Sequence, residues 1–308
     1  MLGVWRLQLL REVARRGTIR AAAMAMSITP SAVSQQLRIL ETEAGVPLLE
    51  RSGRLVRLTD AGEMLVRHAD AITAAITAAE SELAATQHEI RGTLRVAAIP
   101  TVARAILPAA IASLGRAHPR LRLLLRDLET AESLPALAAD EVDLAVVDEY
   151  DEATRIREPG IELLDLLTEP LLVALPPGHP AGEGPVPLGS LRDDPWIMDT
   201  EASGICRALV RACRLAGFEP HARSNCRDYS VIIALVEAGL GVALLPGLAL
   251  ADRPIRARVA PVEPPLERRV RIAVKPERRA HPAVAAMLAE LQRAAAAPAG
   301  GDGIVQEN

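Results

Sequence analysis

Aromatic residues are scarce in this chain: one phenylalanine, two tryptophans and two tyrosines in 308 residues. So few rings argue against an aromatic cage as a device for holding a ligand. Lysine is nearly missing as well, Lys275 being the single one, so arginine carries almost all the positive charge. The three cysteines, Cys206, Cys213 and Cys226, are too few and too oddly numbered for a disulfide framework, and none lies in a C-x-x-C. The histidines show no ligand spacing, so neither a metal nor a cofactor is expected. No run of 18 apolar residues occurs and no signal-peptide core follows Met1, which leads to the expectation of a soluble, cytoplasmic protein without a membrane partner. There is no G-x-G-x-x-G after a strand, no Walker A and no G-x-S-x-G, so nothing points to an enzyme.

What the chain does have is an uneven charge. Its overall net charge is −4, yet residues 1–58 carry nine arginines against four glutamates, a net of +5. A basic segment on an otherwise acidic chain points to a polyanion partner for that segment alone. Hydrophobic content of 50% is ample for two or three cored domains.

The stretch from Thr29 to Glu41 organises the basic segment. Thr29 suits a helix N-cap and Pro30 the first helical position. Val33, Leu37 and Leu40 then recur at i, i+4, i+7, giving a narrow apolar face, while Ser31, Ser34, Gln35 and Arg38 fall on the opposite face. Small hydroxyls, an amide and an arginine on the free side of a sharply capped helix suit a DNA major groove. An ordinary amphipathic surface helix would show the same spacing, so the neighbours decide. Before it, a helix from Val4 to Arg15 ends at Gly17, and Thr18 caps an alanine-rich helix from Ile19 to Met26 whose Ala22 and Ala23 permit close crossing. After it, Leu48–Leu58 reads as a hairpin with Ser52-Gly53 at its tip, flanked by Arg51 and Arg54. From Thr59 a proline-free helix to about Gln87 places Leu65, Ala69, Ile72, Ile76, Ala79, Leu83, Thr86 and Ile90 on a heptad seam, a rod of about 45 Å suited to pairing two copies. A helix lying on its own domain is the competing reading.

Beyond Gly92, short apolar strands alternate with helices, which predicts a mostly parallel α/β sheet in two lobes. The strands expected are 94–99, 121–126, 143–147, 161–167, 171–175, 196–198, 222–225, 241–246 and 268–274. The helices are 100–114, 134–139, 205–216, 229–238 and 282–294, the last returning to the first lobe. The tail 298–308 reads as disordered.

Several motifs carry a family resemblance: Gly17-Thr-Ile-Arg-Ala-Ala-Ala, Thr29-Pro-Ser-Ala-Val-Ser34, Leu40-Glu41, Gly45-Val-Pro-Leu-Leu-Glu-Arg51, Gly53-Arg54 and Leu58-Thr59-x-x-Gly62. With Val142-Asp-Leu-Ala and Val236-Glu-Ala-Gly-Leu-Gly-Val-Ala-Leu-Leu-Pro246, they closely resemble the LysR-type transcriptional regulators over nearly the whole chain. The departures are Ile19 and Leu49 where phenylalanine is usual, Met26 for leucine, and Gln35 where arginine is common. Glutamine favours an adenine edge where arginine favours guanine. The resemblance implies a winged helix-turn-helix at 1–58, a coiled-coil linker helix at 59–91, and an effector domain built like periplasmic solute-binding proteins. Lobe I of that domain would comprise 92–166 and 271–295, and lobe II 167–270, before a tail at 296–308.

It further implies a regulator that binds double-stranded promoter DNA, tuned by a small-molecule effector between the lobes and working as a homodimer or homotetramer. Thr29, Pro30, Ser31, Ser34, Gln35, Arg38, Arg51 and Arg54 would face DNA. By the logic that helix starts receive polar ligands, Thr101, Thr130, Asp199, Thr200, Ser203, Asp228, Tyr229 and Leu245 would face the effector. Thr101 and Asp228 could equally be plain caps. Glu129, Asp148, Asp199, Glu201 and Asp228 suggest an amino-bearing effector, although solvated rim charges explain them equally well. Trp196 and Tyr229 are the aromatics expected nearest the cleft. Some LysR relatives sense peroxide through a disulfide, but Cys206 and Cys213 sit about 10 Å apart along one helix, which suits packing better than bridging. A solute-binding transport protein is the other alternative; it fits the lobes but not the basic head.

Overall fold

The computed structural model describes residues 1–52, 55–85, 89–201, 203–251 and 254–297. The chain divides into two compact units, Met1–Thr86 and Gln87–Asn308.

In the first unit, α1 (Val4–Arg16) stops at Gly17, whose φ of 70° is the left-handed turn that glycine adopts without strain. Thr18 then caps α2 (Ile19–Ala25) by accepting from the Ala21 amide, and Thr29 caps α3 (Pro30–Ala44) by accepting from the Ala32 amide. The hairpin β1 (Leu49–Ser52) and β2 (Leu55–Leu58) follows, with Leu49 opposite Leu58, and then α4 (Asp60–Ala85). Leu9, Leu10, Ala22, Val33 and Leu40 are wholly buried in one core. Each leucine so placed contributes about 1.5–3 kcal/mol.

Several motif residues owe their identity to this junction. The Glu41 carboxylate accepts from the Leu48 and Leu49 amides, and the Thr59 hydroxyl donates to the Pro47 carbonyl. Helix α4 starts so close to the hairpin base that a Cβ on Gly62 would stand 2.1 Å from the Leu48 carbonyl oxygen.

The second unit runs β3 (Gly92–Ala98), α5 (Pro100–Ala105), α6 (Leu107–Ala117), β4 (Leu121–Asp127), α7 (Thr130–Ala138) and β5 (Leu144–Glu149). Then come β6 (Glu162–Leu175), β7 (Val186–Pro187), β8 (Pro195–Met198), α8 (Gly204–Leu215), β9 (His221–Asn225) and α9 (Tyr229–Glu237). The chain finishes with β10 (Ala243–Pro246), β11 (Arg258–Glu263), β12 (Glu267–Val274), α10 (Pro276–Arg279) and α11 (Pro282–Ala296).

Strands β4, β3, β5, β12 and β6 lie in that order in lobe I. Strand β6 then passes into lobe II, where its Leu171–Leu175 half pairs with β10 and β11. Helix α11 returns to lobe I and packs with α6 and the strands there, as the sequence suggested.

Four expectations need correction. The sheet is mixed rather than mostly parallel: β3 pairs in parallel with β4 and β5, but β12 is antiparallel to both β5 and β6, and β10 and β11 are antiparallel to β6. The two strands expected at 161–167 and 171–175 are one 14-residue strand. Pro170 lacks the amide a central strand needs, yet it sits where the strand leaves its β12 partner for those of lobe II. The helix expected over 100–114 breaks at Ile106 because Pro108 cannot donate to a carbonyl of the preceding turn. Strands β7 and β11 were not anticipated, Pro187 and Pro261 having masked them. The expected tail at 298–308 lies outside the described residues.

Candidate functional site

In the first unit the free face of α3 is built as its sequence spacing implies. Val33, Leu37 and Leu40 are buried, whereas Thr29, Pro30, Ser31, Gln35 and Arg38 are exposed and Ser34 is half-buried. The Thr29 and Ser31 hydroxyls share a hydrogen bond of 3.0 Å. The Ser34 hydroxyl donates to the Pro30 carbonyl at 3.0 Å, so its oxygen is left to accept from outside the helix. The Arg51 side chain and all of Arg54, expected at the hairpin tip, lie outside the described residues.

The expected seam of α4 divides in two. Leu65 and Ala69 pack into the core of the first unit. Farther along, Ile72, Ile76 and Leu83 are 37%, 39% and 67% exposed, and Ala79 is exposed with them. They form a row of apolar side chains at alternating spacings of three and four. Thr86 lies outside the described residues, and Ile90 packs against lobe I instead.

In the second unit the lobes meet around a buried guanidinium. Arg268, 1% exposed, donates from Nε to Glu169 at 2.8 Å and from Nη2 to the Thr101 hydroxyl at 3.0 Å; a further bond joins Nη2 to Glu169. Its Nη1 lies 3.6 Å from Asp148. Asp148 in turn accepts from the Thr130 hydroxyl at 2.6 Å and the Tyr150 hydroxyl at 2.8 Å, and Glu169 accepts from the Leu248 amide at 2.6 Å. On the lobe II side Asp199 accepts from the Thr200 amide at 2.5 Å and from the Tyr229 hydroxyl at 3.4 Å. Ser203 caps α8, and Asp228 caps α9. Burial, with Asp148 next for Tyr150 and Asp199 for Tyr229, pushes both phenols well above their usual range, so each stays a neutral donor.

Around this plug the free space is small, about 10 Å³, lined by Thr101, Glu129, Asp199, Ser203, Tyr229 and Arg268 among others. Outside it lies a cavity of about 480 Å³ bordered by Thr101, Arg104, Asp127, Glu129, Glu132, Arg227, Asp228, Tyr229 and Ser230. A second opening of about 230 Å³ is bordered by Glu129, Thr130, Asp148, Gly204, Arg155 and Arg207. Burial, and then the charges of Asp148, Asp199 and Asp127, raise the Glu129 carboxyl to about 7, with Arg227 opposing.

Two family models match this chain: "LysR substrate binding domain" over residues 87–296 and "Bacterial regulatory helix-turn-helix protein, lysR family" over residues 5–63. The chain belongs to the LysR family of transcriptional regulators.

Among its relatives is a probable hydrogen peroxide-inducible genes activator of Mycobacterium avium, 31% identical over 80% of this chain and 78% of that one. Another is the transcriptional dual regulator GltC of Bacillus subtilis, 30% identical over 87% and 89%. Full-length OxyR of Pseudomonas aeruginosa, in a mutant form, superposes with a TM-score of 0.69 at 23% identity, covering 95% of this chain and 98% of that one, which shows the shared fold. The chain is therefore a DNA-binding regulator with an effector domain rather than an enzyme. Among the described residues no helix is long and apolar enough to cross a membrane.

Within this LysR architecture, Thr101, Asp199, Ser203 and Tyr229 converge on the closed plug, and Asp228 borders the outer cavity. Thr130 reaches the plug through Asp148, and Thr200 takes part through its backbone amide. Leu245 does not border these spaces; it is wholly buried in the core beneath α9. Of the acidic residues, Glu129, Asp148, Asp199 and Asp228 gather at the cleft, and Trp196 is buried in the lobe II core with its indole donating to the Leu191 carbonyl. Arg268, Glu169 and Tyr150 were not foreseen there. A signal existed: Arg268 keeps the alternate spacing of the buried Val270, Ile272 and Val274, which aims it inward with them.

Cys206 and Cys213 are free, buried thiols within α8, packed in the lobe II core with Trp196 and Leu209. Burial raises the Cys206 thiol, with Asp199 and Glu201 adding to it, and burial with Glu219 raises Cys213 to about 12. Both are protonated and poorly nucleophilic in this arrangement.

Proposed function

We propose that α3 enters the DNA major groove, with Ser34, Gln35 and Arg38 reaching base edges and Thr29, Pro30 and Ser31 seating the helix start against the backbone. Arg51 and Arg54 at the wing would neutralise phosphates or enter the minor groove. Two copies pair along α4 through Ile72, Ile76, Ala79 and Leu83, giving a homodimer that reads two half-sites, and two dimers form a tetramer. A small molecule held between the lobes alters that assembly and so the promoter occupancy. The observation that carries this reading is the capped α3 with its apolar face buried and its polar face free, set in a LysR helix-turn-helix. Footprinting on DNA flanking the protein's own gene, with and without candidate metabolites, tests it: a protected palindromic site whose extent changes with a metabolite is expected, and no protected site counts against it.

A second reading has its own support, because relatives of this chain bear the name of hydrogen peroxide-inducible genes activators. Here peroxide would be reduced to two waters as the Cys206 and Cys213 thiols join in a disulfide. The two lie seven residues apart, about 10 Å along the axis, whereas a disulfide needs Cα atoms within about 7 Å, so α8 would have to unwind. The raised thiol pKa values oppose the same step. Mass analysis after mild peroxide separates the readings: the cleft reading expects no Cys206–Cys213 linkage.

A further inference from the structure

The two lobes are tied together reciprocally, each sending one side chain into the hydrophobic core of the other. From lobe II, the short turn Gly247–Ala249 that follows β10 reaches over to lobe I, where Leu248 packs against the core that holds Val96, Val146 and Ile272. The Leu248 amide donates to the Glu169 carboxylate at 2.6 Å. Arg104, near the end of α5 in lobe I, donates to the carbonyls of Leu248, Ala249 and Ala251 at 2.7–3.1 Å. A guanidinium there satisfies the carbonyls that the end of a helical turn leaves free.

From lobe I, Tyr150, just beyond β5, lays its ring against the lobe II core beside α8. The fit is close, because a Cβ on Gly204, the first residue of α8, would stand 2.5 Å from that ring. The next residue, Asp151, pairs with Arg211 of α8 at 3.0 Å. The two ties meet at Arg268. Glu169 is shared, one oxygen taking the Leu248 amide and the other the guanidinium. On its far side the guanidinium lies 3.6 Å from Asp148, which takes the Tyr150 hydroxyl at 2.8 Å. An unbroken polar line therefore runs from Leu248 through Glu169, Arg268 and Asp148 to Tyr150, with the Thr101 hydroxyl as a side branch. Arg268, Glu169 and Asp148 are all buried, so the bonds along the line strengthen one another and a broken one leaves a charge uncompensated.

We propose that this line is a latch: it holds the lobes closed on the chain's own side chains, and the Leu248 and Tyr150 ties release together when either end of the line is cut. Closed and open arrangements are then two discrete states rather than a continuum of lobe angles. The latch needs no bound molecule, so it stands whether or not the cleft takes an effector.

Hydrogen exchange of the full-length protein with no added ligand, read by mass spectrometry, tests the latch. Release of the ties exposes the amides at 247–251 and 203–207, while the strands at 94–98 and 270–274 report on the rest of the domain. In the parent both tie segments should exchange at least about a hundredfold more slowly than an unstructured chain. Tyr150→Phe keeps the ring and removes only the hydroxyl. Exchange should then quicken about tenfold at 203–207 and, across the line, at 247–251, as expected for one lost hydrogen bond to a charged group. Arg104→Gln, at the opposite end, should quicken both segments as well. Neither variant should alter 94–98 or 270–274. Arg126→Gln, whose pair with Glu141 lies outside the line, should change none of the four. Tie segments in the parent that exchange as fast as an unstructured chain overturn the proposal. A response confined to the altered end overturns it too, because the ties would then be independent. Equal quickening of the strands also overturns it, since the change would then be a general loss of stability.

Discussion

Arg268 and Glu169 face each other across the β12–β6 ladder, one position before β6 leaves lobe I for lobe II. Their ion pair thus ties the crossover strands together at the place where the lobes join, with Thr101 and Asp148 as the remaining partners. Arg268→Ala would leave Glu169 and Asp148 buried without their cation. A loss of about 3–5 kcal/mol is expected in denaturant unfolding of the effector domain. Replacing Arg268 and Glu169 together by leucine and methionine should cost much less than the sum of the two single changes.

The junction of the wing and α4 tests a purely steric statement. Gly62→Ala brings a methyl carbon to 2.1 Å from the Leu48 carbonyl oxygen, and a backbone oxygen there cannot swing aside. The DNA-binding unit should lose about 1–3 kcal/mol by thermal or chemical unfolding. Gly115→Ala, where nothing lies within 4 Å of the added carbon, should be near neutral or slightly stabilising.

The pH dependence of stability follows from Glu129. Its folded value of about 7 stands above the ordinary 4.5, so the unfolded chain gives up this proton first. Stability contributed by the neutral carboxyl is fully present below about pH 4.5 and is lost as pH rises toward 7. Glu129→Gln should therefore melt at a higher temperature than the parent at pH 8 and close to it at pH 4, in scans without ligand.

The open row on α4 bears on assembly. Ile76→Asp or Leu83→Asp should weaken self-association at least about tenfold in sedimentation, because a charge would replace an apolar contact worth more than about 1.4 kcal/mol. Ala71→Glu, off that row, should leave association unchanged.

Much of the DNA-binding unit was legible because its signals are local. Caps at Thr18 and Thr29, the glycine stop at Gly17 and the face of Val33, Leu37 and Leu40 each act within one or two turns. The effector domain was legible element by element but less so in its pairing. Antiparallel β12 and the double role of β6 are set by contacts about a hundred residues apart, which periodicity does not encode. The cleft shows the same division. Thr101, Asp199 and Tyr229 could be found as residues near helix starts, whereas Arg268 reached the centre from a strand, and only its alternation with Val270 and Ile272 announced it. Leu245 was misjudged because a strand end near a cleft has two faces, and its side chain lies on the core face.

DNA recognition through α3 is tested most directly by one titration. Full-length protein is titrated against the footprinted site and against a scrambled duplex at about physiological salt, for the parent chain, Gln35→Ala and the pair Arg51→Ala and Arg54→Ala. The parent should prefer its site by about a thousandfold or more. Gln35→Ala should lose about 1–3 kcal/mol of that preference with little change on scrambled DNA, and each wing arginine removed should weaken both duplexes and lower the salt slope by about one. Equal affinity of the parent for both duplexes, or equal losses on both from Gln35→Ala, would contradict it.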